Sequence, residues 1–184
     1  MRKLMITLIA TASFLAGTLA CKADATTAAG ATSLRELPLS DCSDLVGTYL
    51  TKNFAKGASD ETFTSRSLLS FTNGGHTFFT DSGETGEPGF GPFSDGRGAW
   101  RCVADEKGAT KALATVLDFT FRTQSNPKQQ IARLNFEARY DAQTEMISGT
   151  IKLYFAPITG DPLESSSLHG GDAFEFTGLR VEAP

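Results

Sequence analysis

The feature that most constrains the fold is an apolar/polar alternation of period two, clearest in residues 131–140. One face of this stretch carries Ala132, Leu134, Phe136, Ala138 and Tyr140, and the other carries Arg133, Asn135, Glu137 and Arg139. Because successive side chains point to opposite faces of a β-strand, the pattern predicts a strand with one buried face. Residues 111–122 and 147–155 alternate in the same way, and no stretch shows a helical period beyond one turn.

The same alternation assigns residues to faces. In 111–122, Leu113, Leu117, Phe119 and Phe121 fall on one side, and Asp118 and Arg122 fall on the other. We expect the charged side to continue the face of Arg133, Glu137 and Arg139 and to form a solvated exterior with cross-strand pairs. In the alternative, that face points inward, and a polar lumen would take a charged or polar ligand.

Turn residues such as Asn73-Gly74-Gly75 divide the chain into candidate strands. We predict strands over Leu45–Lys52, Ser65–Thr72, Thr77–Asp81, Gly98–Val103, Lys111–Arg122, Ile131–Tyr140, Ile147–Phe155 and Ala173–Val181. Strands of this number with short connections favour an all-β fold, an eight-stranded antiparallel up-and-down barrel whose closure removes exposed edges. A β-sandwich is the alternative.

The N-terminus has the features of a secretory signal peptide over residues 1–20. Arg2 and Lys3 precede an apolar stretch, Leu4–Leu19, and the small residue Ala20 follows it. A membrane-spanning helix is disfavoured because the apolar stretch is shorter than the ~20 residues that cross a bilayer. We therefore expect a secreted or periplasmic protein with a flexible tether over 21–39 and a β-barrel domain over 40–184.

The chain has three cysteines, Cys21, Cys42 and Cys102. Thr18-Leu19-Ala20-Cys21 resembles the site at which bacterial lipoproteins are cut and lipidated, with Leu19 one place later than in that family. Lipidation of Cys21 would leave Cys42 and Cys102 to form a disulfide in an oxidising compartment. Ordinary cleavage after Ala20 or Ala25 is the alternative. The disulfide would fasten the strand of Trp100, the only tryptophan, which we expect at the centre of the fold.

The segment Cys42-Ser43-Asp44-Leu45-Val46-Gly47-Thr48-Tyr49 resembles the opening of calycin barrels. Lipocalins carry Gly-x-Trp in their first strand, and avidins place a cysteine, which pairs with a later strand, shortly before the same motif. Here Tyr49 stands at the tryptophan position. The resemblance implies a lipocalin- or avidin-like barrel, but not biotin binding, because avidins line that site with several tryptophans. Cyclase barrels of the allene-oxide-cyclase and dirigent kinds share the shape, with no matching functional residues.

The most distinctive loop covers residues 83–97 and combines five glycines with Pro88, Pro92, Phe90 and Phe93. A long loop of this kind is often functional, and we interpret it as a lid whose two phenylalanines cover a ligand. Trp100, Tyr49 and His76 are the further candidate ligand contacts. Two histidines and scattered carboxylates do not form a metal-ligand pattern, and no catalytic motif is found, so we expect no cofactor.

The formal net charge of −4 disfavours a nucleic-acid partner, which requires a basic face. Membrane contact is expected only through a lipid on Cys21. Together these features predict an envelope protein whose barrel binds a small, mainly apolar molecule. The two alternatives are a cyclase or isomerase that acts on a bound substrate, and an inhibitor or other protein-interaction module.

Overall fold

The computed structural model describes residues 34–86, 91–124 and 127–182. Its strands are β1 (Arg35–Leu37), β2 (Gly47–Ala55), β3 (Ser65–Phe71), β4 (His76–Asp81), β5 (Gly96–Ala104), β6 (Thr110–Phe119), β7 (Gln130–Asp141), β8 (Met146–Pro157) and β9 (His169–Arg180). Three short 3₁₀ segments, Leu39–Leu45, Asp60–Thr62 and Ser165–Ser167, are the helical elements of the described part of the chain.

The sheet is a closed barrel. Its strand order is β5-β4-β3-β2-β9-β8-β7-β6, and pairing of β5 with β6 closes it. All neighbours are antiparallel, and Gly98 stands opposite Val116 at the closure. The predicted all-β, eight-stranded antiparallel barrel is therefore confirmed, and its strands correspond to β2–β9. The sandwich alternative is excluded because the strands form one continuous sheet.

A short ninth strand lies within the segment expected to be a tether. Residues 35–37 form β1, which pairs with β5 so that Glu36 stands opposite Val103. Residues 34–39 therefore belong to the folded part, while the rest of that tether, the expected signal peptide and Cys21 lie outside the described residues.

One end of the barrel is covered by the 3₁₀ segment Leu39–Leu45, which packs on β5, β6 and β7. The predicted disulfide is confirmed: Cys42 of this segment is bonded to Cys102 of β5, and the two Cα atoms are 5.8 Å apart. Trp100 is buried beside it with its ring edge-on to Phe71, the centroids 5.4 Å apart, and its Nε1 donates to the Thr72 carbonyl at 2.9 Å. We call this the disulfide end of the barrel.

The middle of the lumen is filled by aromatic side chains from three strands. The ring of Phe136 lies 5.3 Å from that of Phe79 and 6.1 Å from that of Phe176. These rings leave little space opposite β6, where the inward side chains are small: Ala112, Ala114 and Val116 are all buried.

The face assignment for residues 111–122 is wrong. Asp118 points into the barrel and is buried, whereas Phe119 and Phe121 are 47% and 46% exposed. The physical reason is the crowded lumen: the smaller apolar residues of β6 fit against the central rings, and its larger ones lie outside.

The alternation in residues 131–140 and 147–155 places one face of each strand inside the barrel, as predicted. Leu134 and Phe136 of β7 and Ile147 and Ile151 of β8 are buried. The charged face of β7 points outward, as expected. Its ion pairs there are Glu137 with Lys111 at 2.7 Å and Arg139 with Asp105 at 3.0 Å.

The disulfide is typical of proteins of oxidising compartments, which agrees with the expected location outside the cytoplasm. Within the described ranges, no helix has the length and apolar character needed to span a bilayer.

Candidate ligand cavity at the end opposite the disulfide

The lumen contains a cavity of about 400 Å³ at the strand ends opposite the Cys42–Cys102 bond. It reaches from the aromatic centre of the barrel to the rim, where the exposed Asp172 is one of its lining residues. The protein's own side chains therefore fill the centre of the lumen but leave space at this end.

Most of the cavity wall is apolar. The apolar lining side chains are Phe79, Phe93, Ala132, Leu134, Ile151, Leu153, Phe155 and Phe174. They come mainly from β7, β8 and β9, where period-two alternation places every second side chain inside the barrel. This wall would hold the apolar part of a ligand.

A polar network occupies the facing wall, on β2, β3 and β4. Oδ2 of Asp81 accepts hydrogen bonds from Asn53 Nδ2 at 2.9 Å, Ser65 Oγ at 2.9 Å and Ser67 Oγ at 2.6 Å. Its other oxygen, Oδ1, accepts from the Gly83 amide at 2.7 Å. Asp81 is therefore a buried carboxylate whose two oxygens are both satisfied by the protein.

Asp118, near the end of β6, is placed differently. Its side chain lines the cavity and is only 3% exposed, and its Oδ1 has no hydrogen-bond partner among the described residues. Burial, and secondarily the negative charge of Glu84, raises the pKa of Asp118 to about 7. This carboxyl group can therefore gain or lose a proton near neutral pH, and the protein leaves one of its oxygens without a hydrogen bond.

The charged residues of the lining all have the same sign. Asp81, Asp118 and Asp172 line the cavity, and its lining contains no lysine, arginine or histidine among the described residues. Glu84 lies close by; its Oε1 accepts from the Asp81 amide at 3.1 Å, and burial raises its pKa. No group of three or more potential metal ligands occurs in the described part of the chain.

Of the candidate ligand contacts, Phe93 lines the cavity. It forms a bridge with Thr120, and its neighbours extend the pairing: Ser94 N donates to Phe119 O at 3.0 Å and Phe121 N to Pro92 O at 2.7 Å. Residues 92–94 are thus fixed against the end of β6. Phe90 lies outside the described residues.

The remaining candidates lie elsewhere. Tyr49 and Trp100 are buried at the disulfide end and are not among the lining residues. The Tyr49 hydroxyl donates to the Leu45 carbonyl at 3.1 Å, and the Arg180 guanidinium lies over the Tyr49 ring and donates to its oxygen at 2.9 Å. His76 is exposed at the start of β4, where it pairs with Ala99.

Sequence reasoning missed Asp118 as a cavity residue because it placed this side chain on the outer face. The available signal was the residue type itself, a single carboxylate in the otherwise apolar run Val116-Leu117-Asp118-Phe119. A charge in such a run is either at a solvated position or at a functional one.

Comparison with known proteins gives no relative: no family model, curated protein or solved structure matches this chain. The class of protein is therefore defined by fold and site alone, as an eight-stranded antiparallel β-barrel with a cavity in its lumen.

Proposed function

We propose that this protein binds a small, mainly apolar molecule inside its barrel, in the bacterial cell envelope. The observation that carries the proposal is the cavity of about 400 Å³ with its apolar wall. Ligand pockets typically measure about 300–1,000 Å³ and combine an apolar lining with a few polar groups. The phenylalanines of the wall and the Asp81 and Asp118 side chains match that description.

The cavity's lid is part of this proposal. Phe93 lines the cavity, as do Gly83, the first residue of the loop, and Gly91, near the loop's middle. The loop would close over the apolar part of a bound molecule and exclude water from it.

We also propose that the barrel is of the calycin kind. Gly47 and Tyr49, at the positions of the first-strand motif, begin β2, the first strand of the closed barrel. Cys42 precedes that strand and is bonded to the later strand β5, in the manner of the avidin cysteine.

The binding proposal is tested with N-phenyl-1-naphthylamine, an uncharged probe whose fluorescence rises in apolar surroundings. We expect saturable binding by the wild-type protein and at least about tenfold weaker binding by Ala132→Phe, whose ring fills the cavity. Lys152→Phe is the matched control, because it adds the same ring at an exposed position on the outer face of β8. Equal binding by all three proteins would overturn the proposal.

A second candidate function, isomerase or cyclase chemistry, is favoured by Asp118 alone. A carboxyl group with a pKa of about 7 in an apolar cavity is suited to general acid–base catalysis near neutral pH. If Asp118 removes a proton from carbon, molecules retained by the protein will gain deuterium at carbon in D₂O, and Asp118→Asn will stop the exchange. Exchange that continues in this variant would exclude Asp118 as the base.

The location is proposed as the envelope, with secretion directed by residues 1–20 and a lipid on Cys21. The intact mass of the protein from a bacterial host tests both parts. A mass that corresponds to a chain beginning at Cys21 with attached acyl groups is expected. An unmodified chain beginning at Cys21 or Thr26 would indicate secretion without the anchor.

A further inference from the structure

We propose that the cavity selects small organic cations: an amphipathic amine whose ammonium group lies beside Asp118 and whose apolar body packs on the wall of β7, β8 and β9. This inference rests on the proposed binding function and adds the chemical class of the ligand. It is carried by a buried carboxyl group that lines the cavity and whose Oδ1 has no hydrogen-bond partner among the described residues.

The two carboxylates that are buried around the cavity differ in one decisive respect. Every oxygen of Asp81 already accepts a hydrogen bond from Asn53, Ser65, Ser67 or Gly83. Asp118 is more enclosed, at 3% exposure against 9% for Asp81, yet its Oδ1 has no partner in the part of the chain that the structure describes. A buried polar atom without a partner is costly, so a ligand that donates a hydrogen bond there gains affinity.

The charges around Asp118 favour a cationic donor. Asp81 on β4 and Asp172 on β9 line the same space, and Glu84, in the turn after β4, is close enough for its negative charge to act on Asp118. Among the described residues that line the cavity, no basic side chain neutralises these acidic groups. An ammonium group has three donors and a positive charge, whereas a carboxylate ligand such as a fatty acid would be repelled.

The apolar wall indicates an organic cation and not a bare metal ion. Phe155 and Phe174 lie along the cavity with Leu134 and Ile151, and they would contact the body of the ligand. The carboxylates do not converge into a group of three or more metal ligands in the described residues. An alkyl or aryl amine would place its apolar body against the wall of β7, β8 and β9 and its ammonium group beside Asp118.

Binding of an amine is expected to depend on pH in a defined direction. Asp118 is mostly neutral below pH 7 and mostly ionised above it, because its pKa is about 7. An ammonium ion therefore meets a full negative charge only at the higher pH. We expect its affinity to rise about tenfold or more between pH 5.5 and pH 8, since each pH unit below the pKa removes up to tenfold of the ionised form.

The test uses three probes with one apolar body: 1-naphthylmethylamine, 1-naphthalenemethanol and 1-naphthoate. Calorimetric titration of the wild-type protein at pH 8 should give the amine at least about tenfold tighter binding than the alcohol, and the carboxylate the weakest. Asp118→Asn should remove the preference for the amine and its pH dependence. Asp60→Asn, which removes an exposed carboxylate outside the cavity lining, should keep both.

The outcomes separate this inference from the binding proposal. Equal affinity for amine and alcohol would overturn cation selection and leave the cavity as a binding site for neutral molecules. If Asp118→Asn still binds N-phenyl-1-naphthylamine, the variant is folded, and unchanged amine preference in it would also overturn the inference. If neither this probe nor any naphthyl compound binds the wild-type protein, the binding proposal itself fails.

Discussion

Asp118 and Asp81 are the residues on which the chemistry of the cavity depends. Both are buried, but Asp81 is held by four hydrogen bonds from the protein, while Asp118 keeps an oxygen without a partner among the described residues. The first is a structural carboxylate that ties β2, β3 and β4 together. The second contributes nothing comparable to the fold, so its presence in an apolar strand is best explained by what enters the cavity.

The raised pKa of Asp118 makes a prediction about stability. The pKa of the Asp118 carboxyl is 3.8 in the unfolded chain and about 7 in the folded protein. Between these two pH values the folded state therefore binds more protons than the unfolded state. The free energy of unfolding must therefore fall as pH rises from about 4 to about 7. Over that window the loss amounts to at most about 4 kcal/mol, at about 1.36 kcal/mol for each pH unit.

Asp118→Asn should lack this loss, because its amide stays neutral at every pH. Urea unfolding from pH 4 to pH 8 should show the variant equal to wild type at low pH and more stable at high pH. Glu84, whose pKa is also raised, changes stability in the same direction in both proteins. Asp105 and Asp141, whose pKa values are lowered by backbone amides, act only at lower pH. A constant difference between variant and wild type would contradict the assignment.

For single residues, the sequence predicts some positions in the fold correctly and others wrongly. The disulfide follows from counting cysteines, and alternation places Arg133 and Arg139 on one face, for which the outward position is the expectation and the inward one the alternative. Tyr49 and Trp100 were expected near a ligand because they are large and aromatic, yet they pack in the core at the disulfide end. Which end of a barrel is covered depends on where Leu39–Leu45 packs, and no local pattern encodes that contact.

Among the elements, β6 explains where sequence reasoning failed. Both of its faces carry apolar residues, and Asp118 and Lys111 are its only charged ones, so alternation alone could not choose between the faces. Hydrophobic burial predicts that the larger residues, Leu113, Leu117, Phe119 and Phe121, point inside. Which face of β6 points inward depends on other strands, because Phe79, Phe136 and Phe176 fill the centre of the lumen and leave room only for small side chains.

The closure of the barrel at β5 and β6 depends on a close approach at Gly98. A Cβ there would lie 1.8 Å from the carbonyl oxygen of Thr115 on β6. Gly98→Ala should therefore force the strands apart and cost about 1–3 kcal/mol or more in unfolding free energy. Urea unfolding measures this loss.

Gly74→Ala is the matched control for that experiment, because a Cβ at Gly74 would lie 3.5 Å from the His76 ring as its nearest neighbour, an ordinary contact. It should change stability by no more than about 0.5 kcal/mol. Equal effects of the two substitutions would show that the β5–β6 approach is not tight in solution.

The whole molecule is a barrel with two different ends. One is covered and cross-linked by the Cys42–Cys102 bond; the other holds the cavity. The strand count and the short connections were enough to predict the barrel. The cavity was beyond reach, because its volume depends on which side chains from eight strands meet in the lumen.

A change at the disulfide end of the barrel should not affect ligand binding at the other end. Cys42→Ser/Cys102→Ser should lower the unfolding free energy by about 4 kcal/mol, the loop entropy of a cross-link that spans 60 residues. Because the cavity is at the opposite end, probe affinity in the folded variant should stay within about twofold of wild type. Lost affinity in a folded variant would show that the ends are coupled.

The most direct test of the binding site is a crystal structure of the protein with N-phenyl-1-naphthylamine. We predict that the probe lies in the lumen, in contact with Phe155 and Phe174 and beneath Phe93. The exposed Phe119 and Phe121 on the outer face offer the competing apolar surface. A probe bound there, with the lumen left without it, would contradict the assignment of the cavity as the binding site.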